Sequence, residues 1–219
     1  FMGYGYMKIV DDCSTALVLA PHADDGELGC GGTIARLTDQ GTKVLYAAFS
    51  TAGESVPKGF PSDILAKEVI EAVACLGVKR DNLVIYDYRV RRLNFSRQEI
   101  LESLIKLRKE INPQLVFIPA LSDIHQDHGT VAMEGLRAFK RSTVLSYELP
   151  WNNMSFNHQC YVELQEDDIR RKVAAIDKYK SQAAKDYMSK DNVYALAKVR
   201  GVQVGRQYAE CFEVARLVI

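Results

Sequence analysis

The chain has 219 residues, of which 47% are hydrophobic and 26% are charged, a composition typical of a globular protein with a sizeable core. Its 28 basic and 28 acidic residues balance, so the net charge gives no reason to expect binding to nucleic acid or to an anionic membrane surface. No run of about eighteen apolar residues predicts a transmembrane helix. We therefore expect a small-molecule partner and a single domain over residues 1–219, with no role for residues 1–6. The oligomeric state is left open, with a homo-oligomer as one alternative.

The cysteines indicate a reducing environment. They are odd in number and widely spaced, and no two of them form a C-x-x-C pair: Cys13, Cys30, Cys75, Cys160 and Cys211. This pattern argues against a disulfide framework and against a cysteine-based zinc site. We predict a cytoplasmic protein.

Strands and helices are predicted to alternate over the first two thirds of the chain. Apolar runs predict five strands, at residues 15–20, 43–49, 83–86, 114–118 and 143–148. Helical segments are predicted among them, near residues 31–40, 63–76 and 96–110. Ser96 and Glu99 have the spacing of a capping box at the start of the third helix. This alternation indicates right-handed βαβ crossovers and a parallel sheet with helices on both faces.

The predicted fold class is therefore α/β, a Rossmann-like three-layer sandwich with a mostly parallel sheet in the order 3-2-1-4-5. The C-terminal third has a different pattern. It predicts a strand at 161–164, a long helix at 167–188 and a final strand at 210–218 that extends the sheet.

Three of the four histidines lie in two short polar segments, PHADD at residues 21–25 and HQDH at residues 125–128. Each segment comes shortly after a predicted strand, the first or the fourth. These strands are neighbours in the predicted order, and ligands bind in the crevice beyond their carboxyl ends. Imidazole and carboxylate groups suit a borderline-soft divalent ion such as zinc. The sequence therefore predicts a mononuclear metal site, although spacing alone leaves open which of His125 and His128 binds the metal.

The same residues resemble a known family. PHADDGELGCGG and HQDH are similar to the P-H-x-D-D and H-x-D-H motifs of the zinc-dependent LmbE/PIG-L-type de-N-acetylases. Further similarity lies in TAGE at 51–54, YKSQ at 179–182 and the C-terminal segments RG at 200–201 and YAE at 208–210. The resemblance implies a metal-dependent hydrolase that removes an N-acetyl group from an amino-sugar-containing small molecule or glycoconjugate.

The resemblance also implies how the metal is held and how water is activated. It makes His22, Asp25 and His128 the ligands of Zn²⁺, with Fe²⁺ or another divalent ion as an alternative. It makes Asp24 the general base that takes a proton from the attacking water.

By the same resemblance, His125 is an imidazolium that stabilises the developing oxyanion or protonates the leaving amine. Asp127 is expected to accept the other N–H of this ring and hold it in place. Because a bonded carboxylate favours the charged form of an imidazole, we expect the pKa of His125 to lie above its ordinary value of about 6.5.

Substrate contacts are less well defined by the sequence. Glu54, in the TAGE segment, is one candidate. Many family members carry a substrate-contacting arginine at the position of Leu65, and Arg91 or Arg92, which follow the third strand, could supply a replacement cation.

Other functions remain as alternatives. One is an amidase that acts on a larger amide conjugate, and another is a catalytically silent module of the same fold that binds a sugar or a nucleotide. The glycines at 26, 29, 31 and 32 do not fit G-x-G-x-x-G, which disfavours a nicotinamide dehydrogenase. Tight packing of the first helix explains these glycines better.

Overall fold

The structure is a computed structural model that describes residues 12–218, so residues 1–6 lie outside the described part. The seven strands described are β1 Thr15–His22, β2 Lys43–Ser50, β3 Leu83–Ile85, β4 Leu115–Pro119, β5 Thr143–Tyr147, β6 Cys160–Leu164 and β7 Tyr208–Arg216. The α-helices described are α1 Asp25–Asp39, α2 Ile64–Cys75, α3 Arg97–Ile111, α4 Gln126–Ala138, α5 Glu166–Ile176 and α6 Lys190–Gln203.

The strands form one mixed sheet in the order β3-β2-β1-β4-β5-β7-β6. The first five in this order pair in parallel, whereas β7 is antiparallel to both β5 and β6. In the centre, Ala16 of β1 pairs with Val44 of β2 on one side and with Leu115 of β4 on the other. The predicted α/β class, the order 3-2-1-4-5 and the C-terminal extension of the sheet are confirmed.

The core occupies both faces of the sheet, because successive side chains of a strand point to opposite faces. Val18 of β1 belongs to the cluster under α1, α2 and α5, while its neighbour Leu19 belongs to the cluster under α3 and α4. Both side chains are fully buried. A strand that is covered on both faces reads as a continuous apolar run, which is why β1 is recognisable in the sequence.

Helix α1 begins at Asp25, earlier than the sequence predicts. Two glycines allow this start close to the sheet: a Cβ on Gly26 would lie 2.5 Å from the Tyr46 ring, and one on Gly29 would lie 2.2 Å from the Tyr147 ring. A larger residue at either position would clash with these rings, so close packing of α1 against the sheet explains why both positions hold glycine. Because α1 starts at Asp25, the PHADD segment is a strand-to-helix junction.

The prediction of one long helix over residues 167–188 is wrong. Helix α5 ends at Ile176 and is followed by two 3₁₀ turns, Lys180–Gln182 and Asp186–Met188, before α6 begins. The buried carboxylate of Glu68 accepts hydrogen bonds from the backbone N–H of Ser181 at 2.9 Å and from its hydroxyl at 2.6 Å. A tertiary contact thus holds this segment in a turn, and it cannot be read from periodicity.

The predicted capping box of α3 is also absent. Ser96 is the N-cap residue but makes no side-chain capping bond, and its backbone angles are φ −109° and ψ 22°. A capping serine normally has extended backbone angles. Ser96 instead ends a 3₁₀ turn, Leu93–Ser96, that continues directly into the helix.

Candidate metal centre

The two polar segments meet at the carboxyl edge of the central strands, as predicted. His22 is the last residue of β1, and Asp25 is the first of α1; His125 and His128 lie at the start of α4, after β4. Because β1 and β4 pair in parallel, both segments leave the sheet at the same edge. The ring atoms His22 Nδ1 and His128 Nε2 are 3.2 Å apart.

Three potential ligand atoms form a nearly equilateral triangle. Asp25 Oδ2 lies 3.1 Å from His22 Nδ1 and 3.2 Å from His128 Nε2. Nitrogen and oxygen donors that surround zinc tetrahedrally at 2.0–2.1 Å are about 3.3 Å apart. The triangle therefore matches one face of such a site, and its three residues fit a divalent ion with a fourth position left for water or substrate.

A carboxylate supports the outer nitrogen of each ring in the triangle. Asp127 Oδ2 lies 3.0 Å from His22 Nε2, and Asp123 Oδ2 lies 2.7 Å from His128 Nδ1. Such pairs fix the ring orientation of a metal-binding histidine and raise its basicity. Asp123 also accepts the backbone N–H of His125 at 2.8 Å. The sequence analysis missed Asp123, whose only signal is a carboxylate five residues before His128.

Carboxylates on both sides favour the charged form of the two rings in the metal-free protein. Burial lowers the pKa of His22, but Asp25 and Asp127 outweigh it and raise the pKa to about 9. Burial likewise opposes protonation of His128, but Asp25 and Asp123 raise its pKa to about 10. The pKa of Asp25 falls well below its ordinary value, because the two imidazoliums outweigh its burial.

Asp24 lies beside the triangle and behaves differently from Asp25. It is the N-cap residue of α1 but makes no side-chain capping bond, and it lines the adjacent cavity. Burial and the charge of Asp25 raise the pKa of Asp24, although Lys185 and His22 act in the opposite direction. Asp24 is therefore a carboxylate that can accept a proton and hold it more readily than an exposed aspartate.

His125 is the N-cap residue of α4, and its Nδ1 accepts the backbone N–H of Asp127 at 3.2 Å. A nitrogen that accepts a hydrogen bond carries no proton, so this contact favours the neutral ring with its proton on Nε2. Burial and the charges of His128 and His22 lower the pKa of His125. Our prediction of a raised pKa is wrong.

The reason is that the Asp127 carboxylate binds elsewhere. It accepts hydrogen bonds from the backbone N–H groups of Arg91 at 2.6 Å and Leu93 at 3.2 Å, and it contacts His22 rather than the ring of His125.

The three histidines offer a second potential donor set. One nitrogen from each of His22, His125 and His128 lies within 4.8 Å of the others. The triangle that contains Asp25 is tighter than this three-histidine set, since its atoms lie 3.1–3.2 Å apart. His125 Nδ1 already accepts the capping bond, which leaves only its Nε2 for another partner. The geometry therefore favours Asp25 over His125 as the third donor beside His22 and His128.

A cavity of about 310 Å³ opens beside the triangle. Besides the metal-site residues, its walls include Ser55, Leu65, Arg91, Trp151, Gln182, Lys185 and Tyr187. The rings of Trp151 and Tyr187 are stacked, with centroids 4.2 Å apart and an interplanar angle of 9°. The lining thus combines stacked aromatic rings with two cationic side chains, those of Arg91 and Lys185.

Only one of the three predicted substrate contacts lines this cavity. Arg91 does, but Glu54 forms an exposed ion pair with Arg89 at 2.7 Å. Arg92 places its guanidinium 5.4 Å from the centre of the exposed Phe95 ring, away from the cavity. Leu65 lines the cavity with an apolar side chain, which leaves Arg91 as the arginine at this site.

Comparison with known proteins assigns the chain to a family. Residues 17–139 match the family model described as PIG-L, GlcNAc-PI de-N-acetylase. The chain belongs to this family. The Uncharacterized deacetylase YaiS of Escherichia coli is 30% identical over 75% of this chain and 90% of that protein.

Two further relatives have names that state a substrate. The Diacetylchitobiose deacetylase of Thermococcus kodakarensis is 26% identical over 91% of this chain and 82% of that protein. The Probable N-acetyl-alpha-D-glucosaminyl L-malate deacetylase 2 of Bacillus cereus is 30% identical over 57% of this chain and 60% of that protein. The relatives are thus deacetylases, and these two names refer to acetylated amino sugars.

Solved structures confirm the fold. The N,N'-diacetylchitobiose deacetylase of Pyrococcus horikoshii has a TM-score of 0.80 at 24% identity, covering 96% of this chain and 87% of that chain. The 4-carboxy-2-hydroxymuconate hydratase GalB of Pseudomonas putida has a TM-score of 0.78 at 19% identity, covering 94% and 98%. Since one fold carries both activities, the reaction must be argued from the family and the site.

Proposed function

We propose that this protein is a zinc-dependent hydrolase that removes the N-acetyl group from an amino-sugar-containing small molecule. The observation that carries the proposal is the triangle of His22, Asp25 and His128, which lies beside Asp24 and opens into a cavity. Membership of a deacetylase family supports the reaction class.

The three residues of the triangle would hold the ion, with Fe²⁺ or another divalent ion as the alternative to Zn²⁺. Zinc held there would lower the pKa of a bound water to near neutral and would polarise the acyl oxygen of the amide. Asp123 and Asp127 act as positioning residues, because they hold the outer nitrogens of the two histidines.

Asp24 is the general base of the proposed reaction. It takes a proton from the attacking water, and its raised pKa helps it to retain that proton until the C–N bond breaks. The same carboxyl group can then protonate the leaving amine, so that the acetyl group leaves as acetate and the sugar as a free amine.

His125 stabilises the transition state as a hydrogen-bond donor. The capping bond at Nδ1 leaves the proton on Nε2, which is free to donate to the oxyanion that develops from the amide oxygen. A neutral imidazole can perform this role, so a lowered pKa of His125 is compatible with it.

The metal assignment is tested by measuring bound zinc after reconstitution of the metal-free protein. We expect about one ion per chain, and we expect His128→Ala to lose it. His158→Ala is the matched control, because His158 lies outside the cavity walls, 3.8 Å from Glu148. Full zinc binding by His128→Ala would contradict the assignment.

The reaction is tested by acetate release from N-acetylated amino sugars, with and without zinc. Acetate release only from a larger amide conjugate would favour the amidase alternative. Sugar binding without any release would favour the silent binding module. Zinc-dependent release that is abolished by Asp24→Asn would support the deacetylase.

The cellular location stays a prediction. All five cysteines are free thiols in the described part of the chain. Within residues 12–218, no helix combines the length and the apolar character needed to span a membrane.

A further inference from the structure

We propose that the substrate carries an anionic group, a carboxylate or a phosphate, which binds the Arg91 side chain beside the metal centre. This inference rests on the proposed deacetylase function and specifies its substrate class. It concerns the part of the substrate that extends from the amino sugar.

The backbone of Arg91 is held close to the metal site. Its N–H donates to Asp127 Oδ2 at 2.6 Å, and the same oxygen lies 3.0 Å from the ligand ring of His22. Arg91 has a φ of 62°, a left-handed conformation that is uncommon for a residue with a side chain. Such conformations persist when surrounding contacts enforce them, and they occur often at functional sites. The short path through Asp127 places Arg91 next to any substrate at the metal.

The charge of the Arg91 side chain has no counter-ion in the described part of the chain. Its guanidinium donates to the hydroxyl of Ser55 at 2.6 Å, and both residues line the cavity. By contrast, the nearby Arg89 is paired with the carboxylate of Glu54. An arginine that faces a cavity without a carboxylate partner presents free donors suited to a carboxylate or phosphate.

The other charged residues of the cavity divide into two groups. Among the described residues that line it, the carboxylates are Asp24 and Asp25, both at the metal end. Lys185 adds a second cation, which lies 5.4 Å from the centre of the Tyr187 ring and interacts electrostatically with Asp24 at the metal end. Of the two cations in the lining, Arg91 is therefore the one whose side chain has no carboxylate beside it in the described part of the chain, which favours an anionic extension of the sugar over a neutral one.

The test compares three substrates of the zinc-loaded protein. They are N-acetylglucosaminyl L-malate, N-acetylglucosamine 1-phosphate and the uncharged methyl N-acetylglucosaminide. We expect at least one anionic compound to have a kcat/KM roughly tenfold or more above that of the methyl glycoside, since charge-assisted hydrogen bonds carry such differences. The two anions distinguish a carboxylate site from a phosphate site.

Variants assign the difference to one side chain. Arg91→Gln should lower kcat/KM for the preferred anion roughly 10- to 100-fold, mainly through KM, and should change the methyl glycoside little. Arg91→Lys should retain part of the preference. Arg92→Gln is the matched control, because Arg92 lies next in the chain but outside the cavity, and it should change neither substrate.

Two results would overturn the inference. In the first, the parent protein prefers the methyl glycoside to both anions. In the second, Arg91→Gln lowers kcat/KM equally for all three substrates. If neither these three compounds nor the wider panel of N-acetylated amino sugars releases acetate, the proposed function fails. Calorimetric titration of the metal-free protein with the two anions then tests whether Arg91 binds an anionic group. Binding that does not weaken in Arg91→Gln, or no binding at all, would refute the anion site independently.

Discussion

Loading the metal-free protein with zinc should release about two protons per ion. The triangle holds two imidazoles whose inner nitrogens lie 3.1 and 3.2 Å from Asp25 Oδ2, and their pKa values are raised to about 9 and about 10. At pH 6.5 both rings are therefore almost fully protonated. A metal ion takes the positions of the two inner protons, because only a deprotonated nitrogen can bind it.

The number of protons released per zinc ion distinguishes this site from one with ordinary histidines. Two imidazoles with a pKa of about 6.5 would be half protonated at pH 6.5 and would release about one proton in total. Water on the ion adds only about a quarter of a proton, because a pKa near 7 leaves it mostly undissociated at pH 6.5. With both pKa values well above the range of the experiment, the apparent zinc affinity should rise about 100-fold per pH unit between pH 6 and 7.

Proton release can be measured by calorimetric zinc titrations in buffers that differ in ionisation enthalpy. Asp123→Asn tests the cause, because it removes the carboxylate that lies 2.7 Å from His128 Nδ1, and the release should fall below two. A release of one proton or less by the parent protein at pH 6.5 would refute the reasoning.

Three further outcomes are expected. Asp24→Asn should keep its zinc but lower kcat by roughly 10² to 10⁴, the range for loss of a positioned general base, and near-normal kcat would remove Asp24 from that role. Asp123→Asn should weaken zinc binding roughly 10- to 100-fold in a chelator competition assay, and unchanged affinity would contradict its support of His128. Because folding raises the pKa values of His22 and His128, their stabilisation of the metal-free fold is full below about pH 6.5 and is lost through pH 9–10. Thermal unfolding of the metal-free protein should accordingly show a lower Tm at pH 9.5 than at pH 7. An equal or higher Tm at pH 9.5 would contradict the predicted loss of stability.

The two segments that form the triangle could be located because they follow strands that are recognisable in the sequence, whereas the choice of His22, Asp25 and His128 as ligands came from the family resemblance. The runs before His22 and before the HQDH segment are apolar throughout, as expected for strands that are buried on both faces. Parallel pairing then brings the two strand ends together. The meeting of the PHADD and HQDH segments thus depends on regular structure, which periodicity and the strand order can predict.

The hydrogen bonds around the triangle could not be predicted in the same way. Asp127 lies two residues from His125 in the sequence, yet its carboxylate contacts His22 and the loop after β3. The first turn of α4 aims the backbone N–H of Asp127 at the His125 ring, so its side chain points elsewhere. Sequence proximity suggested the wrong pair, and the pKa of His125 was predicted in the wrong direction as a result.

The C-terminal errors have a similar physical origin. The segment after α5 forms turns because Ser181 binds Glu68 of α2, which lies more than a hundred residues earlier in the chain. Helix α6 buries only three residues, Val193, Ala197 and Gly201, so its helical pattern is weak. Contacts between distant segments decide the structure of this region, whereas local patterns decide the structure of the central sheet.

Asp127 connects the metal centre with the wall that we assign to substrate recognition. Its two oxygens hold the His22 ring and the backbone N–H groups of Arg91 and Leu93. Because these loop contacts use backbone groups, the side chain at position 91 can change without breaking them. The loop can therefore keep its place beside the metal while its side chains select the substrate. This arrangement explains how Arg91→Gln can change substrate preference and leave zinc binding intact, whereas Asp127→Asn should disturb both.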